Sequence, residues 1–404
     1  VARLRVLYGD CRDKLREIVD GTIQCCVTSP PYWGLRSYLS KDHPDKHREI
    51  GQEKTPELYV ETMVQVFREV KRCLHDSGTL WLNLGDSYAS DIKGHNNNGE
   101  GGSTLTSGSR PHVRAAYNDG RGRTGIRVQH GLKPKDLCMI PWRAALALQQ
   151  DGWWLRSVIV WHKKSCMPES VTDRPTNSWE PIFLLAKSAR YFYDAEAVKE
   201  QVAECSIERA KYSFDASKER NNTARGGAET FTASQLVPES GLRNQRNLWS
   251  LGPEPYSEAH FATFPTEIPR RAILAGTSAK GCCPKCYAPW ERVVERVVKS
   301  TNYKQRKDAA VDVSGDPMYR NGSHNSGLAQ NADTETHTVG WQPGCDCDAG
   351  DPIPCTVLDP FAGSGTVGQV ALELGRDAIL IELNPGYLPL IEKRTTVTKG
   401  LVLA

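Results

Sequence analysis

Short apolar runs at residues 5–7, 24–27 and 79–84 are separated by longer stretches, and in one of these, 58–74, apolar residues recur every three to four positions. Runs of a few residues predict buried strands; the longer periodicity predicts a helix that packs on them by one face. Further along, 141–150 carries helical spacing, and 155–161 and 181–185 read as strands. Near the end, 356–358 and 378–381 repeat the strand pattern around a glycine-rich turn and a helix at 367–374. Strands alternating with helices predict an α/β fold on a parallel sheet.

Three segments break the pattern. Residues 91–131 are rich in Gly, Asn, Ser and Arg, with six basic residues (Lys93, Arg110, Arg114, Arg121, Arg123, Arg127) against three acidic ones (Asp91, Glu100, Asp119). Such a segment reads as a long loop that orders on binding. Residues 199–247 are polar and mixed in charge, and 281–348 begin and end with cysteine pairs. No internal repeat is present.

A chain of 404 residues, 39% hydrophobic and 25% charged, can bury a full core and is longer than one average domain. Its 51 basic and 48 acidic residues leave a net charge of only +3, so any nucleic-acid surface must be local. No stretch approaches the roughly 20 apolar residues that cross a bilayer, and Arg3 to Leu7 gives no cleavable leader. A soluble, cytoplasmic protein without a membrane partner is expected. Of the thirteen cysteines most stand singly in apparent core elements, as Cys26, Cys73 and Cys138 do, which fits a reducing compartment with one local metal cluster.

Gly363, Gly365 and Gly368 form G-x-G-x-x-G between a strand and a helix, with Glu382 at the end of the next strand. That pattern serves a dinucleotide, and it equally serves any nucleoside whose ribose hydroxyls an acid can bind. A second loop, Thr28-Ser29-Pro30-Pro31-Tyr32-Trp33, follows the strand at 24–27. Two prolines fix its backbone, so it is at least a rigid turn.

The residues around these two loops decide between the alternatives. Asp359-Pro360-Phe361-Ala362-Gly363-Ser364-Gly365-Thr366 resembles the D-P-F-x-G-S-G-T cofactor motif of DNA amino-methyltransferases, and Ser29-Pro30-Pro31-Tyr32 resembles their [S/D/N]-P-P-[Y/F/W] catalytic motif. The resemblance implies S-adenosylmethionine as cofactor: Asp359 and the backbone of Ala362 to Thr366 hold its methionine end, Phe361 packs beside it, and Glu382 binds the ribose. Asp10, in Val6-Leu7-Tyr8-Gly9-Asp10, resembles the aspartate that bonds the adenine amino group, and it equally reads as the cap of the following helix.

The residue types of the catalytic motif fit amine chemistry. An exocyclic amine is a poor nucleophile because its lone pair is delocalised into the ring, so acceptors must hold its N–H bonds. Ser29 offers a hydroxyl oxygen, Pro30 a carbonyl aimed by Pro31, and Tyr32 a face for a base swung out of the duplex, with Trp33 as a second wall. Methyl transfer is then one displacement governed by positioning. Serine in the first position leans toward the N4 amine of cytosine; Asp or Asn is commoner in N6-adenine enzymes.

The catalytic loop precedes the cofactor loop, as in the β group of these enzymes. Only about forty residues follow Asp359, too few to finish a Rossmann sheet, so the missing strands come from the N-terminal part. The expected fold class is therefore α/β: a circularly permuted Rossmann-like S-adenosylmethionine-dependent methyltransferase fold, with inserted DNA-recognition segments and a zinc-binding insertion. Its catalytic part is 1–90 and 132–198, the Gly/Asn/Arg-rich loop 91–131, the candidate target-recognition segment 199–247, the cofactor part 248–280 and 349–404, and the zinc insertion 281–348. Leu82 to Tyr88 continues the likeness, Trp161-His162-Lys163 resembles the wall of the base pocket, and the segment 260–265 with its helix resembles the part that covers the cofactor.

Cys283 and Cys286 in C-x-x-C, with Cys345 and Cys347 in C-x-C, supply four thiolates for a closed structural zinc site, with Cys282 or His337 as substitutes. Double-stranded DNA is the implied partner, in a restriction-modification setting of a bacterial or phage-infected cell. Monomer and homodimer both stay open. The rivals from other classes are a nicotinamide oxidoreductase, which leaves the Ser-Pro-Pro-Tyr loop without a role, and a catalytically silent zinc-stabilised nucleic-acid binder.

Overall fold

All six residues of Ile23–Thr28 are buried, as befits a strand covered on both faces. The computed structural model describes residues 2–35, 37–89, 132–166, 168–211, 241–252, 254, 264–300 and 333–401. The basic loop 91–131, most of the candidate recognition segment 199–247 and most of the segment 260–265 lie outside the described residues.

In chain order the first elements are β1 (Leu4–Tyr8), α1 (Cys11–Lys14), β2 (Ile23–Thr28), α2 (Pro56–Cys73), β3 (Leu74–Asn83) and α3 (Ile140–Gln150). There follow β4 (Trp154–Lys163), β5 (Trp179–Ala186), β6 (Glu200–Gln201), α4 (Glu204–Lys211), β7 (Leu242–Arg243), β8 (Leu248–Leu251) and α5 (Glu267–Gly276). The last are β9 (Glu291–Ser300), β10 (Asp333–Gln342), β11 (Thr356–Asp359), α6 (Thr366–Glu373), β12 (Asp377–Glu382) and α7 (Leu388–Leu401). None of the described helices is long and apolar enough to cross a membrane.

Two compact units result. One comprises Val1–Asp194, Arg246–Trp290 and Pro343–Ala404; the other comprises Ala195–Gln245 and Glu291–Gln342. The first holds an eight-stranded sheet in the order β1-β12-β11-β2-β3-β5-β4-β8. The expectation of a parallel sheet needs one correction, because β5 runs antiparallel to both neighbours, β3 and β4. Apolar content is the same whichever way a buried strand runs, so the pattern could not show the reversal. The second unit holds the antiparallel pairs β9–β10 and β6–β7.

Alternation along the strands assigns the helix layers. Cys26, Leu80 and Leu82 join the main core with Tyr59, Met63, Val66, Phe67 and Val70 of α2 and Ala144 and Leu148 of α3. Cys25, one residue from Cys26, faces α5 instead, its thiol 3.8 Å from the Ala272 carbonyl. The long helix α2 starts where the sequence dictates: Thr55 accepts the Leu58 N–H at 3.2 Å, and Pro56 occupies the first turn.

The cysteine-bearing insertion 281–348 divides between the units. The turn that carries Cys283 and Cys286 belongs to the sheet unit, tied down by Gln24, whose amide donates to the Tyr287 carbonyl at 2.9 Å and accepts the Thr356 N–H at 2.7 Å. Gln24 and Thr356 stand near the N-terminal ends of β2 and β11. The cysteine turn is therefore at the opposite edge of the sheet from the loops that follow these strands.

Candidate active site

Parallel strands end on one edge, and there the chain turns toward the helices with its polar groups free. Asp10 follows β1, Glu382 ends β12, Asp359 ends β11, Ser29 follows β2 and Asn83 ends β3. In that strand order they form one row at the C-terminal edge, where open α/β sheets bind ligands. The reversed β5 adds Glu180, near its N-terminal end, and the end of β4 adds Lys163.

The glycine loop is shaped for a ligand. Gly363 and Gly365 take φ of +51° and +84°, which only glycine adopts without strain, and a Cβ at Gly363 would meet nothing within 4 Å. Gly368 serves packing: a Cβ there would lie 2.6 Å from Leu380 Cδ1, so α6 can approach β12 only without one. Ser364 is 3% exposed, and its hydroxyl has no hydrogen-bond partner among the described residues. An orphaned buried hydroxyl beside an open glycine cradle fits a bound polar cofactor. Ala362 is buried and its N–H bonds Ile381 O at 3.0 Å, Phe361 packs half-buried against the main core, and Thr366 accepts from Arg394.

Two carboxyls lie under this loop. Asp359 accepts the Thr28 hydroxyl at 2.6 Å and the Phe361 N–H at 3.0 Å, and burial pushes its pKa up to about 7. Glu382 accepts the Gly363 N–H and the Asn384 N–H, each at 2.7 Å, and burial raises it to about 7 as well. Low dielectric disfavours a second negative charge beside the first, and a cation is what would relieve both.

Asp10 realises the capping alternative. Its Oδ1 accepts the Arg12 N–H at 2.8 Å and Arg12 Nε at 2.9 Å, and its Oδ2 pairs with Arg12 Nη2 at 2.5 Å and Arg48 Nε at 3.0 Å. A carboxylate has about four acceptor sites, and these contacts take them. Contact with an adenine amino group would require a guanidinium to let go.

The Ser-Pro-Pro-Tyr loop is held by groups from β3, β5 and α2. Tyr32 Oη lies 3.0 Å from Asn83 Oδ1 and 2.9 Å from Glu180 Oε2, and Ser29 Oγ lies 3.3 Å from Asn83 Oδ1. Burial, then the Glu180 charge, pushes the Tyr32 phenol well above its ordinary range, so it stays a neutral donor. Lys163 pairs with the other oxygen of Glu180. The Pro31 carbonyl is anchored by the Tyr59 hydroxyl at 3.0 Å. Trp33, expected as a second wall, is corrected: it is 3% exposed, belongs to the main core and donates its indole N–H to Glu53 O at 2.9 Å.

Glu180 was not legible as a site residue, since a lone acid in an apolar run carries no motif. Thr28 and Asn83 lie inside the matching motifs without a role of their own in the sequence, and Lys163 reads there only as part of a base-pocket wall. Gly85 is a further supporting residue, because a Cβ there would fall 2.3 Å from Tyr32 Cε2. Gly85→Ala must displace a rigid ring. It is expected to destabilise the fold by about 1–3 kcal/mol and to slow methyl transfer at least roughly tenfold, as a misplaced catalytic group does. Thermal unfolding and single-turnover rates measure the two effects.

The four cysteine sulfurs converge: Sγ of Cys283, Cys286, Cys345 and Cys347 all lie within 4.8 Å of one another. Four sulfurs at about 2.3 Å from a tetrahedral zinc are about 3.8 Å apart, so this donor set fits that ion. The substitutes are not part of the group: Cys282 is buried with its thiol toward Pro354 O, and His337 pairs with Glu295 in the β9–β10 ribbon.

The profile of the DNA methylase family, which spans N6- and N4-methyltransferases, matches residues 23–283 and 355–393, and so takes in both loops and both sides of the insertion. The chain belongs to this DNA methylase family. It is 33% identical over 386 residues to the Type II methyltransferase M.Cfr9I of Citrobacter freundii, covering 96% of this chain and 85% of that one. With the Type II methyltransferase M.SmaI of Serratia marcescens it shares 32% identity over 391 residues, covering 96% and 90%. Among solved structures, the PvuII DNA methyltransferase (cytosine-N4-specific) aligns with 100% of this chain and 94% of its own, at 13% identity and a TM-score of 0.48. This DNA methyltransferase is thus an amino-methyltransferase of restriction-modification type that uses S-adenosylmethionine. The nicotinamide and silent-binder readings fall away.

Proposed function

We propose that this enzyme transfers the methyl group of S-adenosylmethionine to the N4 amine of cytosine at a specific site in duplex DNA, acting on a base flipped out of the stack. The observation that carries the reading is the 2.6 Å bond from Thr28 to Asp359. It joins the residue before Ser29 to the first residue of the glycine loop, so the amine site and the methyl-donor site abut. Serine at the head of the Pro-Pro-Tyr loop supports cytosine over adenine.

In this reading Asp359 and the backbone of Ala362 to Thr366 hold the methionine end, the Ser364 hydroxyl gains its missing partner, Phe361 flanks the cofactor, and Glu382 takes the ribose. Asp10 reaches the adenine only once Arg12 or Arg48 releases it. When bound, the cofactor supplies an electrophilic methyl. Ser29 Oγ and the Pro30 carbonyl accept the two amine hydrogens, and the base stacks on the face of Tyr32 away from Gly85. The nitrogen–carbon bond forms as the carbon–sulfur bond breaks, its pair staying on sulfur, and the surplus amine proton leaves to solvent.

A zinc ion held by Cys283, Cys286, Cys345 and Cys347 is part of the proposal. Four protein ligands leave no open position, so its role is structural. Methylating mixed-sequence duplex DNA and identifying the modified nucleoside tests the base. N4-methylcytosine is expected, and N6-methyladenine would overturn the choice.

The raised carboxyls give a pH prediction. Both Asp359 and Glu382 titrate near 7, above the roughly 4 of an unfolded carboxyl, so their contribution to ligand-free stability is full below about pH 4 and is lost as pH rises through 7. S-adenosylmethionine carries a net positive charge and favours the ionised forms. Its affinity is therefore expected to rise between pH 6 and 8, with protons released on binding. Calorimetric titration in two buffers of different ionisation enthalpy measures this; proton uptake would contradict it.

A further inference from the structure

A serine hydroxyl is both donor and acceptor, and only its lone pairs help a target amine. Something must accept its hydrogen bond. Asn83 stands at the end of β3, 2% exposed, with its amide in a fixed sense: Nδ2 donates to the Pro181 carbonyl at 3.2 Å and to Glu180 Oε2 at 3.3 Å. Both of those partners are acceptors only, so a flipped amide would set oxygen against oxygen on two sides. Its Oδ1 is thereby forced toward Ser29, at 3.3 Å, and Tyr32, at 3.0 Å.

We propose that Asn83 is a positioning residue for methyl transfer: locked by Pro181 and Glu180, its amide oxygen accepts the hydrogen bond of the Ser29 hydroxyl and so turns the serine lone pairs toward the amine. Glu180 acts through Asn83 and Tyr32, and Lys163 balances its charge from the far side. The cluster draws on β2, β3, β4 and β5 and touches both polar side chains of the catalytic loop. An orientation set by packing is available before substrate arrives, which is the condition for electrostatic help in the transition state. This inference rests on the proposed role of Ser29.

The test uses the full-length chain with a duplex substrate under single-turnover conditions. Asn83→Ala is expected to lower the rate by roughly 10- to 100-fold, the value of one orienting hydrogen bond. The cofactor Kd and the DNA KM should stay near wild type. Ser29→Ala with Asn83→Ala should lose less than the product of the two single losses, because the part of the Asn83 effect that runs through Ser29 is already gone and only its contact with Tyr32 remains. Asn83→Asp sets a carboxylate against Glu180 and the Pro181 carbonyl and should be slow. Adding Glu180→Gln restores a donor opposite Asp and should recover part of the rate; this pair also decides the matter if Asn83→Ala fails to fold. A wild-type rate for Asn83→Ala, independent multiplying losses, or no recovery in the pair overturns this inference alone. A wild-type rate for Ser29→Ala overturns the proposed function with it.

Discussion

Replacing Ser29 by alanine is expected to slow methyl incorporation by roughly 10²- to 10³-fold, the loss that follows removal of one preorganised hydrogen-bonding group at a developing charge. The amine nitrogen becomes positive as the methyl arrives, its N–H bonds become more acidic, and an acceptor at Ser29 Oγ gains strength in step. The Pro30 carbonyl remains in the variant, so activity should fall without vanishing. Cofactor affinity should hold within about twofold, because the groups assigned to the cofactor, Asp359, Glu382 and the glycine loop, keep their own bonds to Thr28, Gly363 and Asn384. Single-turnover transfer of labelled methyl, with a cofactor titration beside it, separates the two quantities. An equal change in affinity and rate would mean that Ser29 supports the loop and not the amine. Tyr32→Ala should lose more, since it removes both the stacking face and the hydroxyl that Asn83 and Glu180 hold.

Converting Cys283 and Cys286 together to serine is expected to abolish stoichiometric zinc and to lower Tm by roughly 5–10 °C. A metal present at about a thousand times its Kd stabilises the folded chain by about 4 kcal/mol, and each kcal/mol moves the Tm of a large domain by about 2 °C. The destabilisation starts at the turn around Cys283, whose backbone bonds to Ala288 and Tyr287 form its frame. Gln24 carries it to the sheet. The methyl-transfer rate of the folded fraction should survive at low temperature, because Gln24 binds the turn near the start of β2 and the catalytic loop leaves its end. Metal analysis and thermal unfolding of the same preparations check the prediction. A fully folded wild-type protein prepared without zinc would remove the metal from the account.

Several elements were legible because local chemistry alone fixes them. The spacing at 58–74 gives α2, and the recurrence of Tyr59, Met63, Val66 and Val70 fixes its buried face; the Thr55 cap and Pro56 extend it by two residues. The prolines after Ser29 and the glycines after Asp359 were readable for the same reason: each restricts or frees the backbone where it stands. The two cysteine pairs could be read as one donor set although a long segment separates them, since thiolate spacing within each pair is local.

The rest depended on strand order and direction. Whether Trp33 faces a pocket or the core is decided by what packs around the loop, and it packs with the main core. Whether Asp10 is free is decided by Arg48, distant in sequence and adjacent in space. Glu180 reaches Tyr32 only because β5 runs backwards and brings its first residues to the edge where β2 and β3 end. By itself, then, the sequence determined the two loops, their order and the chemistry each can offer. Only the tertiary structure decided which side chains hold the catalytic serine and tyrosine, because hydrogen bonds between strands follow register and direction, and a buried apolar run encodes neither.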